Sequence, residues 1–206
     1  MNHDKKKVAI FITSLRGGGA ERIVSYLIEV GYQQYDFHLI LLHRDIEYPL
    51  PQTDNVTIVE LDGGSHSKHL GVLKMPLLAF KLKNYLVSNN ISTLLTLLNR
   101  PNLIGCYIKK SGWKGKLIIS ERVDTIAYYS SIRLGFVMIQ LVKRYYPYAD
   151  TVTVISKGIA NSMKRLGIQD SVVIYNPIHV THHVTRAISN DTPFTFINIA
   201  RLEPQK

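Results

Sequence analysis

Short, β-rich apolar runs recur along the whole chain, and most are followed by a turn and then a helical pattern. KVAIFIT (7–13), FHLILLH (37–43), NVTIVEL (55–61), STLLTLL (92–98), KGKLIIS (114–120), DTVTVIS (150–156) and DSVVIYN (170–176) have the length and residue types of strands rather than core helices. Their apolar residues run together instead of alternating, so both faces of each strand need a cover. Strands of this kind, separated by helices, predict an α/β fold: a Rossmann-like parallel sheet with helices on both faces. The connecting helices are expected from Ala20 to about Gly31, over 69–89 with Pro76 kinking or restarting it, briefly after Pro101, over 130–146, and over KGIANSMKRLG from Lys157.

A parallel sheet binds its ligands at the carboxyl ends of its strands. That places the loops after residues 13, 43, 98, 120 and 156 around one rim. The polar, Pro-bounded stretch PIHVTHHVTRAISNDTP (177–193) reads as a linker, with FTFINIA (194–200) beyond it. Residues 1–176 then form one domain, and 194–206 hold the first strand and loop of a second, which the chain leaves at Lys206.

Lys and Arg number 25 against 15 Asp and Glu, a net charge of +10. Such a balance favours an anionic partner (nucleic acid, an acidic membrane surface or phosphorylated small molecules) or serves solubility alone. The one cysteine, Cys106, allows no intramolecular disulfide or cysteine-based zinc site, and it fits a reducing compartment as a small buried residue. The apolar core of the N-terminus, VAIFI, is too short for a signal peptide. The longest strongly apolar run, LGFVMIQLV (134–142), is about half a membrane span.

Three loops carry candidate chemistry. SLRGGGAER (14–22) puts Gly17, Gly18 and Gly19 between a strand and a helix, where free backbone N–H groups and the helix dipole suit an anion, with Arg16 and Arg22 flanking it; the other reading is a tight turn whose glycines serve helix–sheet packing. The spacing is neither GxGxxG nor GxxxxGK[ST], so neither a dinucleotide site nor a P-loop is supported. SERVDT (120–125) clusters Glu121, Arg122 and Asp124 at the same rim, as a general acid/base pair, a phosphate clamp or a self-paired surface loop. ARLEPQK (200–206) sets Arg201 and Lys206 on one loop, a pair suited to a diphosphate or to an exposed polar tail. His179, His182 and His183 have a spacing that a metal could use, yet only Asp191 accompanies them in the linker, and no metal is expected. His38 and His43 read as strand-end or surface residues.

Two basic, apolar stretches stand out. KHLGVLKMPLLAFKLKNYL (68–86) and the tyrosine-rich helix at 130–146, with Arg133, Lys143 and Arg144, suit an anionic membrane surface, although the first also reads as a crossover helix covering its own sheet. No nucleic-acid-binding signature is present.

Together these motifs resemble the retaining GT-B glycosyltransferases of family 4. The resemblance rests on Gly18, Gly19, Ala20, Glu21 and Arg22 of the GGAER loop, and on Ser120, Glu121, Arg122, Val123 and Asp124, which are similar to a SERND-like stretch. The VIS…GI…NSM…LGI pattern of 154–168, YNPI (175–178) and ARLEPQK complete an ordered set over almost the whole chain. The resemblance implies the N-terminal, acceptor-side half of a GT-B fold. It implies transfer from a UDP- or GDP-linked nucleotide diphosphate sugar to a glycan or lipid-linked acceptor, with retention and with no cofactor or metal. Gly18 and Gly19 would approach the donor diphosphate or the acceptor, Arg201 and Lys206 would neutralise the leaving nucleotide, and the SERVD loop would lie near the acceptor and the transferred sugar. Relatives often carry a histidine beside this loop; here Ser-Glu-Arg ends the strand, so no histidine role passes across. The family's E-x7-E motif falls beyond Lys206, so the expectation is an N-terminal portion, inactive alone, cytoplasmic and peripheral on the inner face of the membrane. The alternatives are a noncatalytic membrane-associated module and, with only the charge to support it, a nucleic-acid-binding protein.

Overall fold

The computed structural model describes residues 5–62 and 74–177. The chain divides into two compact units, Met1–Asn176 and Pro177–Lys206. The expected strand 194–200, the linker histidines, and Arg201 and Lys206 lie outside the described residues, as do positions 68–73 of the first basic stretch.

The elements follow in the order β1 (Lys6–Ile12), α1 (Gly19–Gly31), β2 (Tyr35–Leu41), β3 (Val56–Glu60), α2 (Met75–Ser88), β4 (Thr93–Leu97), α3 (Asn99–Lys110), β5 (Lys116–Glu121), α4 (Thr125–Ser130), α5 (Gly135–Tyr145), a 3-10 turn (Tyr146–Tyr148), β6 (Thr151–Val154), α6 (Lys157–Arg165) and β7 (Ser171–Val173). The seven strands form one sheet in the order β3-β2-β1-β4-β5-β6-β7, and every pairing is parallel. This is a Rossmann-like α/β sheet. The strand order reverses between β1 and β4, where the connections diverge and leave a crevice at the carboxyl rim.

Strands apolar on both faces meet two apolar layers. Ile10, Ile12, Leu39 and Leu41 pack with Ala20, Val24 and Ile28 of α1, three positions on one stripe of that helix. Their neighbours Ala9, Phe11, Ile40 and Leu42 face the opposite layer, built from α2, α3, α5 and α6. Cys106 belongs to that layer and is wholly buried, and burial pushes its thiol far above the ordinary range. Next to it, Gly105 lets α3 approach β4 and β5; a Cβ there would lie 3.0 Å from side-chain atoms of both Thr96 and Leu117.

Local chemistry explains where the elements differ from expectation. Pro76 stands in the first turn of α2 and therefore starts the helix instead of kinking it. The helix expected only after Pro101 begins at Asn99, because proline in a first turn forfeits an N–H that has no intrahelical partner anyway. The tyrosine-rich stretch, expected as one helix over 130–146, is two. The Ser130 and Ser131 hydroxyls bond carbonyls of α4, Ile126 at 2.5 Å and Tyr128 at 2.8 Å, and Leu134 turns left-handed at φ 63° before α5 starts. His38 is buried rather than at the surface: α2 lays Tyr85 over it, with the Tyr85 hydroxyl 2.7 Å from His38 Nδ1. Burial lowers the His38 pKa, against the charge of Asp36. Among the described residues no helix is long and apolar enough to cross a membrane.

Candidate functional site

The rim of the crevice is built from three strand exits. After β1 the chain runs through Leu15, Arg16 and Gly17 to Gly18, the N-cap of α1, held at φ −132° and ψ 167°. This loop is clamped by the segment leaving β2. Leu15 N–H bonds the Asp45 carbonyl at 2.9 Å, Glu47 N–H bonds the Leu15 carbonyl at 3.1 Å, and the Tyr48 hydroxyl bonds the Gly18 carbonyl at 3.1 Å. The Gly17 N–H donates to the Glu47 carboxylate at 2.9 Å. Arg16 lies 3.3 Å from Glu47 and 3.7 Å from Asp45. An anion does sit on the glycine loop, and it is the chain's own.

A second carboxylate folds back over the loop. Glu21, in the first turn of α1, places Oε2 2.1 Å from where a Cβ on Gly18 would stand. Gly18 thus makes room for the Glu21 side chain, and Glu21 reaches across the crevice electrostatically to Arg122.

Leu98, at the exit of β4, adopts φ 73° and ψ 155°, a conformation that carries a steric cost for any residue with a Cβ. It delivers Asn99 into a polar network beneath the rim. The Tyr129 hydroxyl donates to Asn99 Oδ1 at 2.9 Å. Asn99 and Asn102 donate to the Tyr146 oxygen at 3.2 and 3.3 Å, and Tyr146 donates to Glu121 at 2.5 Å. Asn102 is fixed in turn by Thr96, whose hydroxyl donates to Asn102 Oδ1 at 2.7 Å, and by the Ser120 carbonyl at 3.1 Å.

The three SERVD residues separate into three environments. Glu121 ends β5 and has no exposed surface; burial raises its pKa, against the hydrogen bonds from Tyr146 and from the backbone of Arg122 and Val123. Arg122 points outward at the rim, where its guanidinium donates to Asn176 Oδ1 at 2.7 Å. Burial draws its pKa down and Glu21 opposes that. Asp124 caps α4, accepting the N–H groups of Ile126 and Ala127 at 3.0 Å, while its other oxygen accepts the Ser162 hydroxyl of α6 at 2.6 Å. Burial alone would raise the Asp124 carboxyl; these bonds and the charge of Arg165 outweigh it and hold it below the usual range.

The structure therefore brings Gly18, Glu21, Arg122 and Asn176 to one crevice and sets Glu121 in the interior behind it. Sequence reasoning missed Glu47, which no motif marks, and the tyrosine–asparagine network, whose members are scattered from Thr96 to Tyr146. Among the described residues no cluster of three metal-ligating side chains occurs.

The fold is a Rossmann-like α/β domain of the kind that GT-B glycosyltransferases contain. It overlays sucrose-phosphate synthase from Thermosynechococcus elongatus with a TM-score of 0.66 at 13% identity, covering 84% of this chain and 48% of that one. It overlays the lipopolysaccharide outer core galactosyltransferase WaaB with a TM-score of 0.66 at 16% identity, covering 91% and 50%. In sequence the chain is 30% identical over 189 residues to the N-acetylgalactosamine-N,N'-diacetylbacillosaminyl-diphospho-undecaprenol 4-alpha-N-acetylgalactosaminyltransferase of Campylobacter jejuni subsp. jejuni. That match takes in 90% of this chain and 52% of the relative, so the chain spans about half the length of the curated relative it matches. No protein-family model matches the chain.

Proposed function

We propose that this chain is the acceptor-side domain of a family 4 glycosyltransferase that moves a sugar from a nucleotide diphosphate donor to a lipid-linked glycan. The observation that carries the reading is that Gly18, Glu21, Arg122 and Asn176, from three separate motifs, stand at the carboxyl rim of the one sheet, where Arg122 bonds Asn176 and feels the charge of Glu21. The sequence likeness to a transferase whose name specifies a diphospho-undecaprenol-linked acceptor supports the substrate class. In this reading Arg122 is the cation that meets the acceptor or donor phosphate. Its guanidinium is committed to one neutral amide and faces one carboxylate at a distance, which leaves donors for a ligand. Glu121 touches no ligand. It is a positioning residue that accepts the Arg122 N–H at 3.2 Å and holds the β5 exit against Tyr146. Asp124 positions α4. Residues 177–193 link to a donor domain that opens at 194–206, where Arg201 and Lys206 stabilise the departing nucleotide diphosphate.

The test is binding of a short-chain polyprenyl-diphosphate disaccharide to the purified chain, followed by ligand-observed NMR. Saturation transfer to the sugar, lost in Arg122→Ala but kept in Arg22→Ala, is the expected result. No transfer to any diphosphate-linked glycan refutes the reading, and robust sugar transfer by the chain alone refutes the division of labour between domains.

A further inference from the structure

The turn between α4 and α5 exposes apolar residues that no element among the described residues covers. Leu134 is 65% exposed, Phe136 63%, Ile132 42% and Val137 41%. Exposed apolar residues clustered in this way are the pattern expected of an interaction site. The turn is tied by its own backbone and packed against α4. Gly135 N–H bonds the Ile132 carbonyl at 2.9 Å and Val137 N–H bonds the Leu134 carbonyl at 3.0 Å. Gly135 lies so close to α4 that a Cβ would meet the Tyr129 carbonyl oxygen at 1.9 Å. Leu134 holds its left-handed conformation here with a branched side chain turned to solvent, and neither folding nor solubility gains from that.

Charge identifies the partner. From Thr125 to Ala149 the chain contains no Asp or Glu, and it carries Arg133, Lys143 and Arg144. These three are exposed, and among the described residues none of them makes an ion pair or hydrogen bond. The lysines at and on α2 differ: Lys74, its N-cap, pairs with Asp62, Lys81 bonds the Leu61 carbonyl, and Lys83 bonds the Ser111 carbonyl. On α5 the exposed positions Phe136, Gln140, Lys143 and Arg144 share one face, with the apolar end about 10 Å from the basic end along the axis. Lys110 joins the basic end, stacked over the rings of Tyr145 and Tyr148 at 5.0 and 5.5 Å.

We infer that the α4–α5 turn is a membrane wedge. Leu134 and Phe136 enter the acyl boundary of a bilayer, and Arg133, Lys143 and Arg144 meet anionic headgroups, an apolar tip with a basic collar of the kind that binds acidic bilayer surfaces. Because α4 starts three residues after Arg122, the wedge sets the crevice mouth beside the bilayer.

Vesicle flotation tests this without any sugar transfer, so its outcome is separate from that of the proposed function. The full chain is mixed with phosphatidylcholine vesicles with and without phosphatidylglycerol, at low and high salt. The expected result is binding to the anionic vesicles that weakens with salt. It falls about tenfold or more in L134S/F136S and loses its preference for phosphatidylglycerol in K143E/R144E. Thermal melting of each variant checks the fold. As a local readout, the indole of F136W is quenched by brominated acyl chains, while that of Trp113, buried at 6% exposure, is not. Wild-type binding that is absent at low salt, or unchanged in L134S/F136S, overturns the inference. So does an unquenched F136W, or self-association in solution that L134S/F136S abolishes, since the apolar tip would then be covered by a second copy.

Discussion

Tyr146 gives its phenolic hydrogen to Glu121 across 2.5 Å, and both side chains are cut off from solvent. Burial raises the Glu121 carboxyl above its ordinary 4.5. A carboxyl raised in the folded state contributes its full stability below the unfolded value and loses it as pH climbs through the folded value. The free energy of unfolding of the wild type therefore declines relative to Glu121→Gln as pH rises above the carboxyl's ordinary 4.5. Urea titrations at fixed temperature read that difference, and a gap that widens in favour of the wild type contradicts it. Tyr146→Phe strips the donor from Glu121 and the acceptor from two asparagines, at a cost of about 1–3 kcal/mol.

Glu47 competes with any ligand for the Gly17 N–H. Its side chain is 53% exposed and so is worth little to folding. Glu47→Gln shifts the unfolding free energy by less than about 0.5 kcal/mol. It raises the affinity of the loop for pyrophosphate by about threefold or more, since it removes a like charge from the site. Calorimetric titration of both proteins decides it: equal affinities show that Glu47 does not compete with an anion from solution.

Asp124 works as a cap and as a tie to α6. Asp124→Ala costs about 1–2 kcal/mol, the usual range for losing an N-cap carboxylate. Its carboxyl is held low, so the stabilisation is present above its ordinary 3.8 and is lost as pH falls through the lower folded value. Acid unfolding midpoints check the sign: the wild type and Asp124→Ala converge toward low pH. Ser162→Ala reproduces a part of the loss.

Two glycines make a controlled comparison. A Cβ on Gly18 meets only the movable end of Glu21, whereas one on Gly135 meets the Tyr129 backbone. Gly18→Ala is expected to melt within a few degrees of the wild type while releasing the Glu21 carboxylate. Gly135→Ala costs about 1–3 kcal/mol, since neither strand of the turn can yield. Parallel melting curves that rank the two the other way contradict this account.

The sheet was legible because its evidence is local. KVAIFIT and FHLILLH carry apolar residues at consecutive positions, and one sheet with two covers is what such strands require. The SERVD cluster was legible only as a place. That Glu121 turns inward while Arg122 turns outward follows from strand alternation, but the identity of its partner, Tyr146, depends on how α5 returns over β5. Glu47 was invisible for a related reason. An acidic residue in a polar loop has no pattern of its own, and its hydrogen bond to Gly17 exists only because β1 and β2 end side by side. The break of the tyrosine-rich helix could have been read from the Ser130–Ser131 pair, whose hydroxyls bond helix carbonyls.

The burial of Cys106 has a practical outcome. The sole sulfhydryl of the chain is sealed between α3 and the sheet, and its ionisation is suppressed, so maleimides find no native target. A cysteine placed at Phe136 or at Arg122 would accept a spin label or fluorophore stoichiometrically on the otherwise unmodified protein, which makes the wedge and the crevice each addressable by spectroscopy.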